Sequence, residues 1–251
     1  MERLLKLVDT IWTHKAIDNN FYTVWLNEEL NPEELAIFAI NYWQWTYHFP
    51  SILAGLISSV NNINVKTEYT KTLYSEMGYG NAEKVHSTLF EVFYDSLISK
   101  KNRPDLVLKN IKNKIALSND TNQLIEWQRD VYSSNTSVAI GAQLALEWQA
   151  YTMIRKLYDG ARNYSHLWKD PDEFHEDCEF FYVHIGAAEK EHKKESLLAA
   201  EELIEDGIKF SDIEFGFNKN LELISCFWEG MIEAINYAEK STLTEGEKTY
   251  S

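Results

Sequence analysis

Apolar side chains recur at three- and four-residue spacing through almost the whole chain, the period of an amphipathic α-helix rather than the alternation of a strand. The pattern predicts a first helix over residues 2–18 and a short aromatic segment at 21–28. Asn31-Pro32-Glu33-Glu34 then opens a second helix: Asn31 suits the cap, Pro32 the first helical position, and the acidic pair the positive end of the dipole. That helix is expected to reach His48, break or kink near Pro50, and resume through Ile52–Val60. Further helices are expected at 65–77, 82–99, 104–117, 121–133, 136–161, 172–206 and 219–239. Asn119-Asp120-Thr121 and Ser134-Asn135-Thr136 punctuate them, and Asp170-Pro171-Asp172-Glu173 repeats the acidic start signal. No repeat, low-complexity tract or Gly/Ser linker interrupts the pattern. The reading is an all-α helical bundle, one domain over 1–240, followed by a polar, frayed tail over 241–251.

Composition narrows the class of function. The 251 residues are 45% hydrophobic and 14% aromatic with only ten Gly and four Pro, enough for a full core and too few breakers for an all-β or disordered chain. A net charge of −15 argues against binding nucleic-acid phosphates or anionic membranes. Cys178 and Cys226 are too few for a disulfide framework and read as reduced, buried thiols. The N-terminal residues alternate charge with apolar side chains, and no apolar run approaches the ~18 residues of a membrane span. A cytoplasmic, soluble protein acting on a small molecule is expected.

The chemistry concentrates in three places. Phe181-Tyr-Val-His184-Ile-Gly-Ala-Ala-Glu189-Lys-Glu-His192 sets two imidazoles and a carboxylate on one predicted helix. Glu189 and His192 share a face, whereas His184 and Glu189 stand ~140° apart on a regular helix turning ~100° per residue. A π-bulge at Gly186-Ala187-Ala188 would bring all three together. The competing interpretation is a surface helix with two ordinary histidines among Lys190, Glu191, Lys193, Lys194 and Glu195, weakened by the apolar lead-in that draws His184 toward a buried face.

Glu76 ends one predicted helix, Gly78 and Gly80 make a turn, and His86 lies in the first turns of the next. Glu83 shares the His86 face but reads better as a partner for the helix dipole. Glu147 sits inside an otherwise uncharged stretch of helix, Ala139–Ile154, where a buried carboxylate needs either a cation or a metal. Carboxylates with neutral imidazoles suit iron or manganese, and bundles build such sites from several facing helices.

These residues resemble the haem-oxygenase-like diiron oxidases, which adopt a haem-oxygenase-like helical bundle and bind iron directly. The likeness covers roughly residues 30–235: Glu76-x-Gly-x-Gly-x5-His86-x-x-Leu-Phe is similar to the first ligand block, Glu147 to the middle carboxylate, and Phe181-x-x-His184…Glu189-x-x-His192 to the last block. Members usually space that last block His-x3-Asp-x2-His, whereas here it is His184-x4-Glu189-x2-His192. Glu189 keeps its spacing to His192 and stands as the ligand; the added residue implies weak or substrate-triggered binding of the second metal.

The resemblance implies two Fe(II) ions with O2 as co-substrate, His86, Glu147 and Glu76 holding one iron, His184, Glu189 and His192 the other, and Glu147 bridging. It implies oxidation of a small amine or amino-acid metabolite by N-oxidation, C–C cleavage or nitrile formation, as in natural-product biosynthesis, with an external electron donor as a further partner. A homodimer is the default assembly. Tyr42 and Trp45, from an aromatic cluster that is mostly core, are the expected contributors to a substrate pocket. Two alternatives remain open: a cofactor-independent thiaminase-like hydrolase, which would want a nucleophilic Cys, and a non-catalytic ligand- or haem-binding protein with His14 or His48 as an axial ligand.

Overall fold

Helices α1 (Glu2–Asp9), α2 (Asn20–Asn27), α3 (Pro32–Ser59), α4 (Ile63–Glu76), α5 (His86–Lys100) and α6 (Leu108–Ile111) form the first half of the chain. The second half holds α7 (Asn119–Ser134), α8 (Thr136–Ala161), α9 (Pro171–Asp177), α10 (Glu179–Ile185), α11 (Ala187–Glu205) and α12 (Phe210–Lys248). This computed structural model describes the backbone of residues 1–185 and 187–248 and the side chains of 1–185 and 193–237. There is no β-strand among the described residues, so the fold is all-α. No described helix is long and apolar enough to cross a membrane.

Local chemistry explains most boundaries. The Asn31 side chain accepts from the Glu33 and Glu34 amides at 3.0 Å while Glu34 Oε2 accepts from the Asn31 amide at 2.7 Å, a reciprocal capping box ahead of Pro32. Contrary to expectation, α3 continues through Pro50 without ending; Phe49, Ile52 and Leu53 are buried around it, and their packing outweighs the one hydrogen bond that Pro50 cannot donate.

The first expected helix stops at Asp9, because the Thr10 hydroxyl bonds the Leu7 carbonyl at 2.6 Å, a 3₁₀ turn follows over Thr10–Thr13, and His14 is extended. Asn19 then caps α2 through the Tyr22 amide at 3.1 Å. Residues 104–117 supply only a 3₁₀ turn at Pro104–Leu106 and the short α6, and Asp95 from α5 accepts the Leu108 amide at 2.7 Å. The long helix expected at 172–206 leaves helical geometry at Cys178, dividing α9 from α10. Helix α12 starts and ends beyond the expected 219–239.

A single continuous core runs through the bundle. Helices α8 and α12 form its most extensive contact, and two glycines make it possible: a Cβ on Gly141 would lie 1.9 Å from the Ile213 carbonyl oxygen, and one on Gly216 would lie 1.9 Å from that of Val138. Aromatic rings from α2, α3 and α12 meet behind this pair, with Phe21 stacked on Trp228 at 4.8 Å. Trp25 donates to the Leu157 carbonyl at 2.8 Å and ties α2 to α8. Helices α3, α4, α5, α8 and α10 surround a cavity whose lining includes several polar side chains.

Candidate metal centre

Glu76 is the last residue of α4 and His86 the first of α5, and the turn between them is folded tightly back on itself. Gly78 has φ +62°, and a Cβ there would stand 2.4 Å from the Lys84 carbonyl carbon, so only glycine permits the closure. Tyr79 also takes left-handed backbone (φ 55°), and its hydroxyl accepts from Ser75 at 3.1 Å. The result is that Glu76 Oε2 and His86 Nδ1 lie 2.9 Å apart, with His86 buried and Glu76 partly so.

His184 reaches the same point from α10. Its Nδ1 is 2.6 Å from the Phe180 carbonyl one turn earlier; a carbonyl can only accept, so Nδ1 carries a proton, and in the neutral ring the lone pair is then on Nε2. The His86 and His184 ring centroids are 4.2 Å apart. One donor atom each from Glu76, His86 and His184 all lie within 4.8 Å of one another. Ligands about 2.1 Å from one ion and at right angles to each other stand about 3.0 Å apart, so the Glu76–His86 spacing matches two neighbouring positions around one metal. A carboxylate with two imidazoles is a donor set that fits iron. The expected division placed His184 with the other iron; the geometry groups its ring with Glu76 and His86.

Glu147 projects from α8 into the same cavity and is 6% exposed. Gln143, one turn earlier, donates to Glu147 Oε1 at 2.6 Å, and Tyr132 donates to Gln143 Oε1 at 2.9 Å. Burial and then the neighbouring Glu147 charge push the Tyr69 hydroxyl well above its ordinary range, and burial chiefly does the same to Tyr132.

The empty space of the cavity together with the open solvent at its mouth comes to about 680 Å³. Tyr42, Trp45, Phe49 and Phe180 are among its aromatic lining, and Glu76, His86, Glu147 and His184 among its polar lining. Tyr42 and Trp45, the expected pocket residues, therefore line it, and the Trp45 indole is fixed by donation to Gln128 at 3.0 Å. Glu83 is exposed in a 3₁₀ turn ahead of α5 and does not line the cavity.

His14 and His48 are also outside the cavity lining, as are Cys178 and Cys226. The side chains of Glu189 and His192, and the bulge expected at 186–188, lie outside the described residues. Sequence reading missed Gln143, Tyr132, Phe49 and Phe180. Gln143 left a usable signal, a polar residue one helical turn before the single carboxylate of the uncharged stretch 139–154.

Comparison with known proteins adds to this geometry. A family model described as iron-containing redox enzyme matches residues 36–224. Among solved structures, a CADD-like protein of unknown function from Nostoc punctiforme is 14% identical, with 95% of this chain and 96% of that chain covered and a TM-score of 0.69. A TenA homolog from Pseudomonas syringae pv. tomato is 14% identical, with 92% of each chain covered and a TM-score of 0.69. A TenA homologue from Pyrococcus furiosus is 13% identical, covering 92% of this chain and 98% of that one with a TM-score of 0.62. At such identities the likeness is one of fold. No curated protein matches the chain at a significant level.

Proposed function

This chain belongs to the iron-containing redox enzyme family, and from that premise we propose that it is a non-haem diiron oxidase or oxygenase using O2 on a small amine or amino-acid metabolite. The observation that carries the reading is the convergence of Glu76, His86 and His184 donor atoms in one cavity that Glu147 also enters. Glu76, His86, His184 and Glu147 would hold iron, with Glu189 and His192 completing a second position. Bound Fe(II) supplies the electrons and the open coordination positions that activation of O2 needs.

The remaining work falls to the chain's own side chains. His184 keeps its Nδ1 proton on the Phe180 carbonyl and so offers Nε2 inward. Gln143 holds the Glu147 carboxylate in one orientation. Tyr42, Trp45, Phe49 and Phe180 exclude water and present flat surfaces against which a planar substrate group can stack, which favours an aromatic amine or amino acid over a long aliphatic chain.

The thiaminase-like alternative loses ground on one point. Cys178 is fully buried outside the cavity, and burial, followed by the nearby Asp177 charge, pushes its thiol up. Anaerobic reconstitution with Fe(II) tests the proposal: one iron per chain bound firmly, a second bound weakly or only once substrate is added, and an absorbance change on admitting O2 are expected. Absence of iron uptake would overturn it.

A further inference from the structure

A chain of polar side chains stands behind the Glu147 carboxylate. Gln143 touches Glu147 at one end of its amide and Tyr132 at the other, at 2.6 and 2.9 Å. An ionised carboxylate can only accept, so the amide nitrogen must face Glu147 and the amide oxygen must face Tyr132. The Tyr132 hydroxyl must then donate. Every donor and acceptor along the relay has one permitted direction, and Tyr132, Gln143 and Glu147 are all buried. The relay also crosses between helices, since Tyr132 belongs to α7 and the other two to α8.

We propose that Gln143, locked by Tyr132, is a positioning residue that sets the rotation of the Glu147 carboxylate for iron binding; this rests on Glu147 being an iron ligand. Loss of the Tyr132 hydroxyl would remove the donor that fixes the amide, letting Gln143 turn its oxygen toward Glu147 and repel it. Loss of the Gln143 amide would remove its donation to Oε1. In both cases the carboxylate stays in the cavity and the hydrogen bond from Gln143 is lost or weakened, which separates a positioning role from ligation itself. Partners that orient ligands in this way typically govern about 10- to 100-fold in metal affinity.

The test is anaerobic titration calorimetry of the full-length apo protein with Fe(II), and with Mn(II) as a probe inert to O2, alongside thermal unfolding. Gln143→Glu keeps an acceptor for Tyr132 but removes the donor to Glu147; Gln143→Met removes both without adding charge. Each is expected to weaken metal binding about 10- to 100-fold, with Tyr132→Phe weaker than wild type by a smaller factor. A merely structural role would lower the unfolding midpoint and leave affinity unchanged in the folded fraction. Wild-type affinity in folded Gln143→Met, with Glu147→Gln impaired, would overturn the positioning role and leave the ligand assignment standing. Wild-type affinity in Glu147→Gln would overturn the assignment of Glu147, and the relay's role with it.

Discussion

Glu76 Oε2 and His86 Nδ1 meet at 2.9 Å across the turn that joins α4 to α5, so two of the donor atoms are set by one local piece of backbone rather than by distant packing. Replacing His86 by Ala removes one donor and leaves a partly buried carboxylate without this partner. Iron content after anaerobic reconstitution is expected to fall by roughly tenfold or more relative to wild type, with helical content retained. Unchanged iron content in His86→Ala would remove this residue from the ligand set.

Gly78 is the backbone element on which that spacing depends. Its φ of +62° and the 2.4 Å approach of a would-be Cβ to the Lys84 carbonyl carbon leave no room for a side chain. Gly78→Ala is expected to destabilise the protein by about 1–3 kcal/mol in urea unfolding and to weaken Fe(II) binding, because the turn must open. A variant with wild-type stability would show that the turn has slack that the contact distances do not suggest.

How much of this was legible beforehand can be read from particular residues. The α3 start was, because Asn31, Pro32 and Glu34 act within one turn of each other. His184 was legible as a candidate because an apolar lead-in draws it toward a buried face, and Glu76 and His86 because they flank the Gly78/Gly80 turn in a resembling ligand block; their meeting in a cavity needed the packing of α4, α5 and α10. Passage of α3 through Pro50 and the division at Cys178 were not legible, since both depend on tertiary contacts that local propensity does not encode. Tyr132 was invisible for the same reason: it reaches Gln143 from another helix.

Cys178 offers a test against nucleophilic chemistry. Its thiol is fully buried and pushed up, whereas Cys226 is only partly buried. Titration of the native protein with a disulfide reagent at neutral pH should leave Cys178 unmodified until denaturant is added, and Cys178→Ala should retain wild-type iron binding. Rapid native labelling of Cys178 would contradict the packing around it.

Two histidines away from the cavity predict a pH effect. Burial lowers the pKa of His14, whose Nδ1 accepts the Ala16 amide at 3.1 Å; burial and then Arg129 lower that of His48. The folded state therefore binds fewer protons than the unfolded state just below the ordinary value of 6.5, and stability is lost as pH falls through each folded-state pKa. The urea midpoint of wild type should drop more between pH 7 and pH 5 than that of His14→Gln/His48→Gln. Parallel profiles for the two proteins would refute the effect.

Trp45 joins the cavity wall to the core and lets packing and hydrogen bonding be separated. Its indole donates to Gln128 Oε1 at 3.0 Å, Gln128 donates to Asn220 Oδ1 at 2.9 Å, and Asn220 donates to the Ala142 carbonyl at 2.8 Å. Trp45→Phe deletes the donor and leaves the Gln128 oxygen buried without one, an expected cost of about 1–3 kcal/mol. Changing both partners, as in Trp45→Phe/Gln128→Met, removes that orphan but deprives Asn220 of its own donor, so recovery should be partial. The single and double variants are separated by urea unfolding, and binding of an aromatic amine to either, followed by calorimetry, should weaken because the wall loses its fixed indole face. Full recovery of stability in the double variant would mean that Asn220 finds another donor, and unchanged amine binding would place the substrate elsewhere in the cavity.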